Sequence, residues 1–200
     1  MKDPILSDYE NPSPPGRGAG GEGLKPAFRF LAIFVSLYLG MNIVYGLWIS
    51  SYDRTVDPLT EIVTNQSSSL LNFFGEETQT KPKASTPSVS ILNSSGVAIS
   101  VFEGCNGINV MIVFVSFLFA FGGQRKKIAW FLPAGLFLIY IANLGRVMIL
   151  YFVAEYWQEY FYYVHKYVLT ALLYLIVFVL WWVWIEKVSN ISLKKVMANK

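Results

Sequence analysis

The chain has one cysteine, one histidine and few charges, with Asp, Glu, Lys and Arg together at 14% of its 200 residues. A single thiol allows no internal disulfide and leaves a redox role without a resolving partner. One thiol and one imidazole are too few for a Cys/His metal cage, so neither a metal nor another cofactor is expected. The shortage of charge argues against a water-solvated domain, in which about 25% of residues are charged. The formal net charge of +3 is too small to imply a nucleic-acid partner.

What the chain has in excess is apolar residues, at 54%, with Phe, Trp and Tyr at 16%. They concentrate in four runs, from about Pro26 to Ser50, Cys105 to Phe121, Ile128 to Val153 and His165 to Ile185. Each run is near the ~20 residues that cross ~30 Å of hydrocarbon, the second being the shortest. The first run exceeds the roughly 7–15 apolar residues of a signal peptide and no A-x-A-like site follows it, so it reads as a retained anchor. Lys2, Arg17, Lys25 and Arg29 precede the first run, Arg125, Lys126 and Lys127 separate the second from the third, and Lys187, Lys194, Lys195 and Lys200 follow the fourth. Asp53, Asp57, Glu61, Glu76, Glu77 and Glu103 outnumber Arg54, Lys81 and Lys83 in the long segment between the first two runs. The positive-inside rule then puts both termini and the GGQRKK turn in the cytoplasm.

The expected fold is an all-α polytopic membrane protein of about four transmembrane helices, with an outer amphipathic helix and a short extracytoplasmic β-hairpin. Residues 1–25 read as a disordered cytoplasmic tail with a Pro/Gly-rich stretch, 26–186 as the membrane-embedded domain and 187–200 as a basic cytoplasmic tail. Asp57-Pro58 is a helix-start signal, after which Leu59, Ile62, Val63, Leu70, Phe73 and Phe74 recur near a 3.6-residue period as far as Gly75. Gln79 to Pro87 reads as a polar linker. Val89 and Ile91, then Val97, Ile99 and Val101, alternate on either side of Asn93-Ser94-Ser95-Gly96 as in a hairpin.

Counting along the runs brings three residues to one level. At 1.5 Å per helical residue, Cys105 lies ~25 Å from the cytoplasmic turn at Gly122, Arg146 ~28 Å from Lys127 and His165 ~33 Å from Lys187. Taken singly, each has a bland reading: a small buried thiol, a snorkelling arginine, a histidine in an aromatic belt. Nothing in those readings requires all three at one boundary.

The three types suit acyl transfer. A thiolate attacks carbonyl carbon, and a position in the first turn of the second span, near a cation, favours the anion. Histidine can shuttle a proton to a leaving amine near neutral pH. Arg146 offers a fixed charged fork for a substrate carbonyl or developing negative charge. Gly104 and Gly107 let a substrate backbone approach, and Asn109 and Asn143 lie one turn from Cys105 and Arg146 on their helices. With Glu103 and Asn106 of the same short stretch, these are the residues expected to support the site or bind substrate.

The stretches EGCNGI (103–108) and NLGRV (143–147), with His165 opening the next span, resemble the signature of exosortases and archaeosortases. The first half of the chain, with its anchor, DPLTEIV and hairpin, looks like the small exosortase F subgroup of flavobacteria and their relatives. The resemblance implies an intramembrane cysteine transpeptidase with Cys105 as nucleophile and Arg146 and His165 as its essential partners. It implies a site on the periplasmic side of a bacterial inner membrane. The implied substrate is a membrane-anchored protein with a C-terminal sorting signal of motif, transmembrane helix and basic cluster. The new carboxyl end would pass to an acceptor such as a lipid or glycan. A non-enzymatic scaffold that binds a partner through its outer loop is the alternative, and it expects Cys105, Arg146 and His165 to be scattered around the bundle.

Overall fold

The computed structural model describes residues 24–52, 55–84 and 86–188, so nearly all of the two expected tails lies outside the described residues. Five helices and three strands follow in order: α1 (Leu24–Ser50), α2 (Pro58–Phe73), β1 (Gln79–Pro82), β2 (Ser88–Asn93), β3 (Gly96–Phe102), α3 (Ile108–Phe121), α4 (Arg125–Tyr156) and α5 (Gln158–Val188). α5 is one helical rod that opens with a 3-10 turn and widens to π-helix over Val164–Val168 and again over Trp184–Val188.

Three of these helices, α1, α4 and α5, are long and apolar enough to cross a membrane. The second expected span is shorter. α3 has 14 residues, about 21 Å of helix, because Gly104 to Gly107 form a turn rather than a first helical turn. The third and fourth are longer than expected. Only Trp157 separates α4 from α5, and the stretch between the third and fourth runs of the sequence is wound into the ends of the two helices.

α2 begins as its sequence dictates. The Asp57 side chain accepts from Thr60 N at 2.9 Å and Pro58 takes the first helical position, where its missing N–H costs nothing. The sequence leaves open whether this amphipathic helix lies on the outer leaflet or over the bundle, and of its apolar residues only Val63 and Leu71 are buried. The buried stripe is Thr60, Val63, Thr64, Ser67, Ser68 and Leu71, while Leu59, Ile62, Phe73 and Phe74 are exposed, Phe73 at 83%. The hydroxyls are content in that position. Thr64 and Ser67 donate to the carbonyls of Thr60 and Val63 one turn back, and Ser68 bonds to Thr78 at 2.8 Å. Small side chains let α2 lie close on the sheet and on α4.

The expected hairpin is present as β2 and β3, paired antiparallel with Val89 opposite Val101 and Ile91 opposite Ile99. The expected linker from Gln79 to Pro87 contributes a third strand. Asn72 donates to the Thr78 carbonyl at 3.0 Å and accepts from Thr78 N at 2.7 Å, so the chain leaves α2 aimed along β2. Pro82 ends the strand, where a ladder N–H can be spared. The sheet order is β1-β2-β3.

Two cores result. One, in a cap, joins Val63 and Leu71 of α2 and Ile91, Ile99 and Val101 of the sheet to Leu144, Val147, Leu150 and Tyr151 of α4. The other, in the helical bundle, joins Val110, Phe114 and Leu118 of α3, Phe131 and Ile139 of α4 and Leu173, Val177 and Trp184 of α5. A Cβ on Gly135 would strike the Phe114 ring, so α3 and α4 meet there through a missing side chain. α1 packs on α3 and leaves Leu39, Ile43, Val44 and Leu47 exposed, as suits a helix facing lipid.

Candidate active site

Cys105 belongs to the cap core, at its seam with the bundle. β3 ends at Phe102, and Glu103–Cys105 form a 3-10 turn in which Asn106 N bonds to the Glu103 carbonyl at 3.4 Å. Gly107 then takes a left-handed conformation at φ +84°, turning the chain into α3. A Cβ there would lie 2.9 Å from Asn143 Cγ, so both backbone and packing require glycine. The first-turn position expected for Cys105 is corrected accordingly: the cysteine lies in the turn before α3.

Two side chains fasten this turn. Asn106 is buried. Its amide donates to Tyr45 Oη of α1 at 2.7 Å and to Thr60 Oγ1 of α2 at 3.3 Å, and its oxygen accepts from Ile108 N at 3.0 Å. Asn143 of α4 is fully buried and donates through Nδ2 to the Cys105 carbonyl at 2.9 Å.

His165 reaches the cysteine from α5. Its Nε2 lies 3.6 Å from Cys105 Sγ, a contact between residues 60 apart in the chain. The histidine is inside the Val164–Val168 π-segment, two turns into its helix rather than at its opening. Widened turns of this kind favour functional positions. Thr170 Oγ1 donates to its carbonyl at 3.2 Å, and the Phe161 ring stacks on the imidazole at 5.8 Å between centroids. Among the described residues no side chain bonds to the other ring nitrogen, so ring stacking and helix geometry orient the imidazole.

Arg146 lies one turn beyond Asn143 on α4, half-buried, and its charge acts on the thiol. Its Nε is buried with no hydrogen-bond partner, as is Asn143 Oδ1. Burial pushes the Cys105 thiol above the ordinary cysteine range, and Arg146 opposes that shift without cancelling it. Cys105 as a whole is 6% exposed. A polar cleft of about 680 Å³ beside Asn72, Glu76 and Asn93, and an apolar groove of about 590 Å³ between α1 and α3, have none of the three residues in their walls.

The other expected positions divide. Asn106, Gly107 and Asn143 build the cysteine turn. Gly104 is exposed, and the Phe102 ring occupies the space its Cβ would need, at 2.8 Å. Glu103 starts the 3-10 turn, and its carboxylate has no ion-pair partner among the described residues. Asn109 is exposed and is not brought into the site, because Cys105 lies in the turn before α3 rather than one helical turn from it on the same helix. Sequence reasoning missed Tyr45, Thr60 and Phe161. Thr60 had a signal in the hydroxyl stripe of α2, and Phe161 in its spacing of four from His165; Tyr45 had none.

The turn, the two asparagines and the Cys–His contact all fall within residues 23–183, which the profile of the transmembrane exosortase family matches. No curated protein and no solved structure matches the chain. The profile match extends over most of the chain, including α1 and the whole cap, and on that ground the protein is a member of the transmembrane exosortase family.

Proposed function

We propose that the protein is an intramembrane cysteine transpeptidase that cleaves a C-terminal sorting signal from exported proteins and passes the new carboxyl end to an acceptor. The observation that carries the reading is the 3.6 Å approach of Cys105 Sγ and His165 Nε2 beside Arg146. A scaffold has no need of such a contact, and its expectation of scattered residues does not fit this one.

His165 Nε2 takes the thiol proton as Cys105 Sγ attacks the scissile carbonyl carbon. The carbonyl oxygen becomes an oxyanion, which the half-buried Arg146 guanidinium stabilises with its permanent charge. The tetrahedral species collapses as the C–N bond breaks, and the proton on His165 passes to the leaving amine. A thioester remains on Cys105. The acceptor's nucleophile then loses its proton to His165, attacks the thioester carbonyl and displaces the thiolate, which recovers the proton. Water in the acceptor's place gives hydrolysis by the same steps.

The site then lies on the extracytoplasmic side of a bacterial cytoplasmic membrane, with both termini inside and α3 as a fourth, short span. The substrate is a membrane-anchored protein, and a lipid or glycan serves as acceptor. The anchor, the DPLTEIV stretch and the hairpin support the exosortase F subgroup. The test follows the size of a substrate's C-terminus in cells carrying each variant. Cys105→Ala and Cys105→Ser should accumulate to normal levels and abolish processing, since one member of a coupled site costs about as much as several. Arg146→Lys keeps the charge, loses the planar fork and should also fail. Normal processing with Cys105→Ala ends the proposal.

A further inference from the structure

We infer that Asn143 is a positioning residue for the cysteine, holding Sγ against His165 Nε2 by gripping the Cys105 backbone from α4. Three observations lead there. Asn143 Nδ2 donates to the Cys105 carbonyl at 2.9 Å, the one hydrogen bond from α4 to the turn that carries the thiol. The Asn143 side chain presses on Gly107 so closely that a Cβ at 107 would lie within 3.2 Å of three of its atoms. Its Oδ1 is buried and unpartnered, although a buried acceptor without a donor is costly.

The unpartnered oxygen shows which contact the side chain serves. Reversing the amide would set Oδ1 against the Cys105 carbonyl oxygen, two acceptors face to face. The orientation is therefore fixed by the donor, and the other end of the amide goes unsatisfied in consequence. An apolar residue of similar size would avoid that cost but would release the carbonyl of Cys105. The grip on one side is rigid, because Asn143 stands in the middle of a continuous 32-residue helix. On the other side, Asn106 ties the same turn to α1 and α2. With the backbone of Cys105 clamped, the side chain has a short reach, and the sulfur meets the imidazole. Misplacement by about 1 Å can cost about a hundredfold in a reaction that depends on such contacts.

The inference rests on the Cys–His pair of the proposed function, but its test needs no substrate. Cys105 is the only cysteine, so iodoacetamide labelling of the full-length protein in detergent reads one site. Alkylation rates at neutral pH are compared for the wild type, Asn143→Ala, His165→Ala and the double variant. His165→Ala should slow alkylation, and Asn143→Ala should slow it about tenfold in the presence of His165. In the His165→Ala background, Asn143→Ala should change the rate little, because the contact it maintains is already gone. Asn143→Asp keeps the shape and replaces the donor with an acceptor, so it should behave as Asn143→Ala if the alanine variant fails to fold. An equal effect of the Asn143 substitution in both backgrounds, faster labelling in both, or wild-type behaviour of Asn143→Asp would overturn the inference. Loss of coupling with substrate processing intact removes the positioning role alone. Coupling with processing unaffected by Cys105→Ala removes the transpeptidase reading alone.

Discussion

At the residue scale the thiol is the informative group. Cys105 has two competing influences, burial raising its proton affinity and the Arg146 charge lowering it, and burial is the larger. The sign follows directly. A raised pKa keeps the thiol protonated at neutral pH and moves thiolate formation to higher pH than in an unfolded chain, where cysteine titrates near ~8.5. Iodoacetamide should therefore label the native protein more slowly than the denatured protein at pH 8, with the native rate still climbing at pH values where the denatured rate has levelled. A native midpoint below that of the denatured chain would show the thiolate to be stabilised in the resting site. In the proposed mechanism, the protonated resting state would protect the thiol between turnovers, because it would become a nucleophile only as its proton moves to His165. The sequence conveyed the identity of this residue but not its setting. Its place in a turn depends on the left-handed Gly107, whose need for glycine comes from the Asn143 side chain opposite, a contact no local pattern records.

The elements were legible where the signal is local. Asp57-Pro58 marks the start of α2, and the alternation about Asn93 to Gly96 marks β2 and β3, because caps and turns are set by neighbouring residues. The orientation of α2 was not legible. Its apolar residues recur at helical spacing, but in a membrane protein apolar side chains are as stable facing lipid as facing a core, so periodicity alone does not choose the inward face. The hydroxyl stripe of Thr60, Thr64, Ser67 and Ser68 faces the protein, and Leu59, Ile62, Phe73 and Phe74 face away. Strand β1 was missed for a related reason: Asn72 and Thr78 direct it from outside the segment. If the outward face of α2 lies in the bilayer interface, a tryptophan at Phe73 in proteoliposomes should be quenched by brominated lipid and shielded from acrylamide. Strong acrylamide quenching with no effect of bromine would place that face in water.

For the whole molecule, the cap and the basic turn give the proposed topology a direct test. Lys126 is exposed in the first turn of α4, and Lys83 is exposed beyond β1 at the cap end. In a Cys105→Ala background, a cysteine at Lys83 should react with a membrane-impermeant thiol reagent in intact cells, and one at Lys126 should react only after the membrane is permeabilised. The reverse pattern would invert the topology and move the site to the cytoplasm. The apolar runs made the three membrane-length helices readable, since they answer to the bilayer rather than to any partner in the fold. The depth of the site was less readable, because it depends on where α3 stops.

α3 has 14 residues, and its short rise fixes a depth. About 21 Å of helix above the basic turn stops well short of the far side of a ~30 Å hydrocarbon layer. In the proposed topology, with the basic turn at the inner edge of that layer, the thiol would stand below the lipid headgroups, roofed by α2 and the sheet, as if at the bottom of a well whose wall is α4. A polypeptide anchored by its own membrane helix presents at that depth only the few residues next to the helix. The protein would then measure its cleavage point in ångströms from the bilayer rather than in letters of a motif. A substrate whose motif stood a dozen residues further out would display the right sequence at the wrong height.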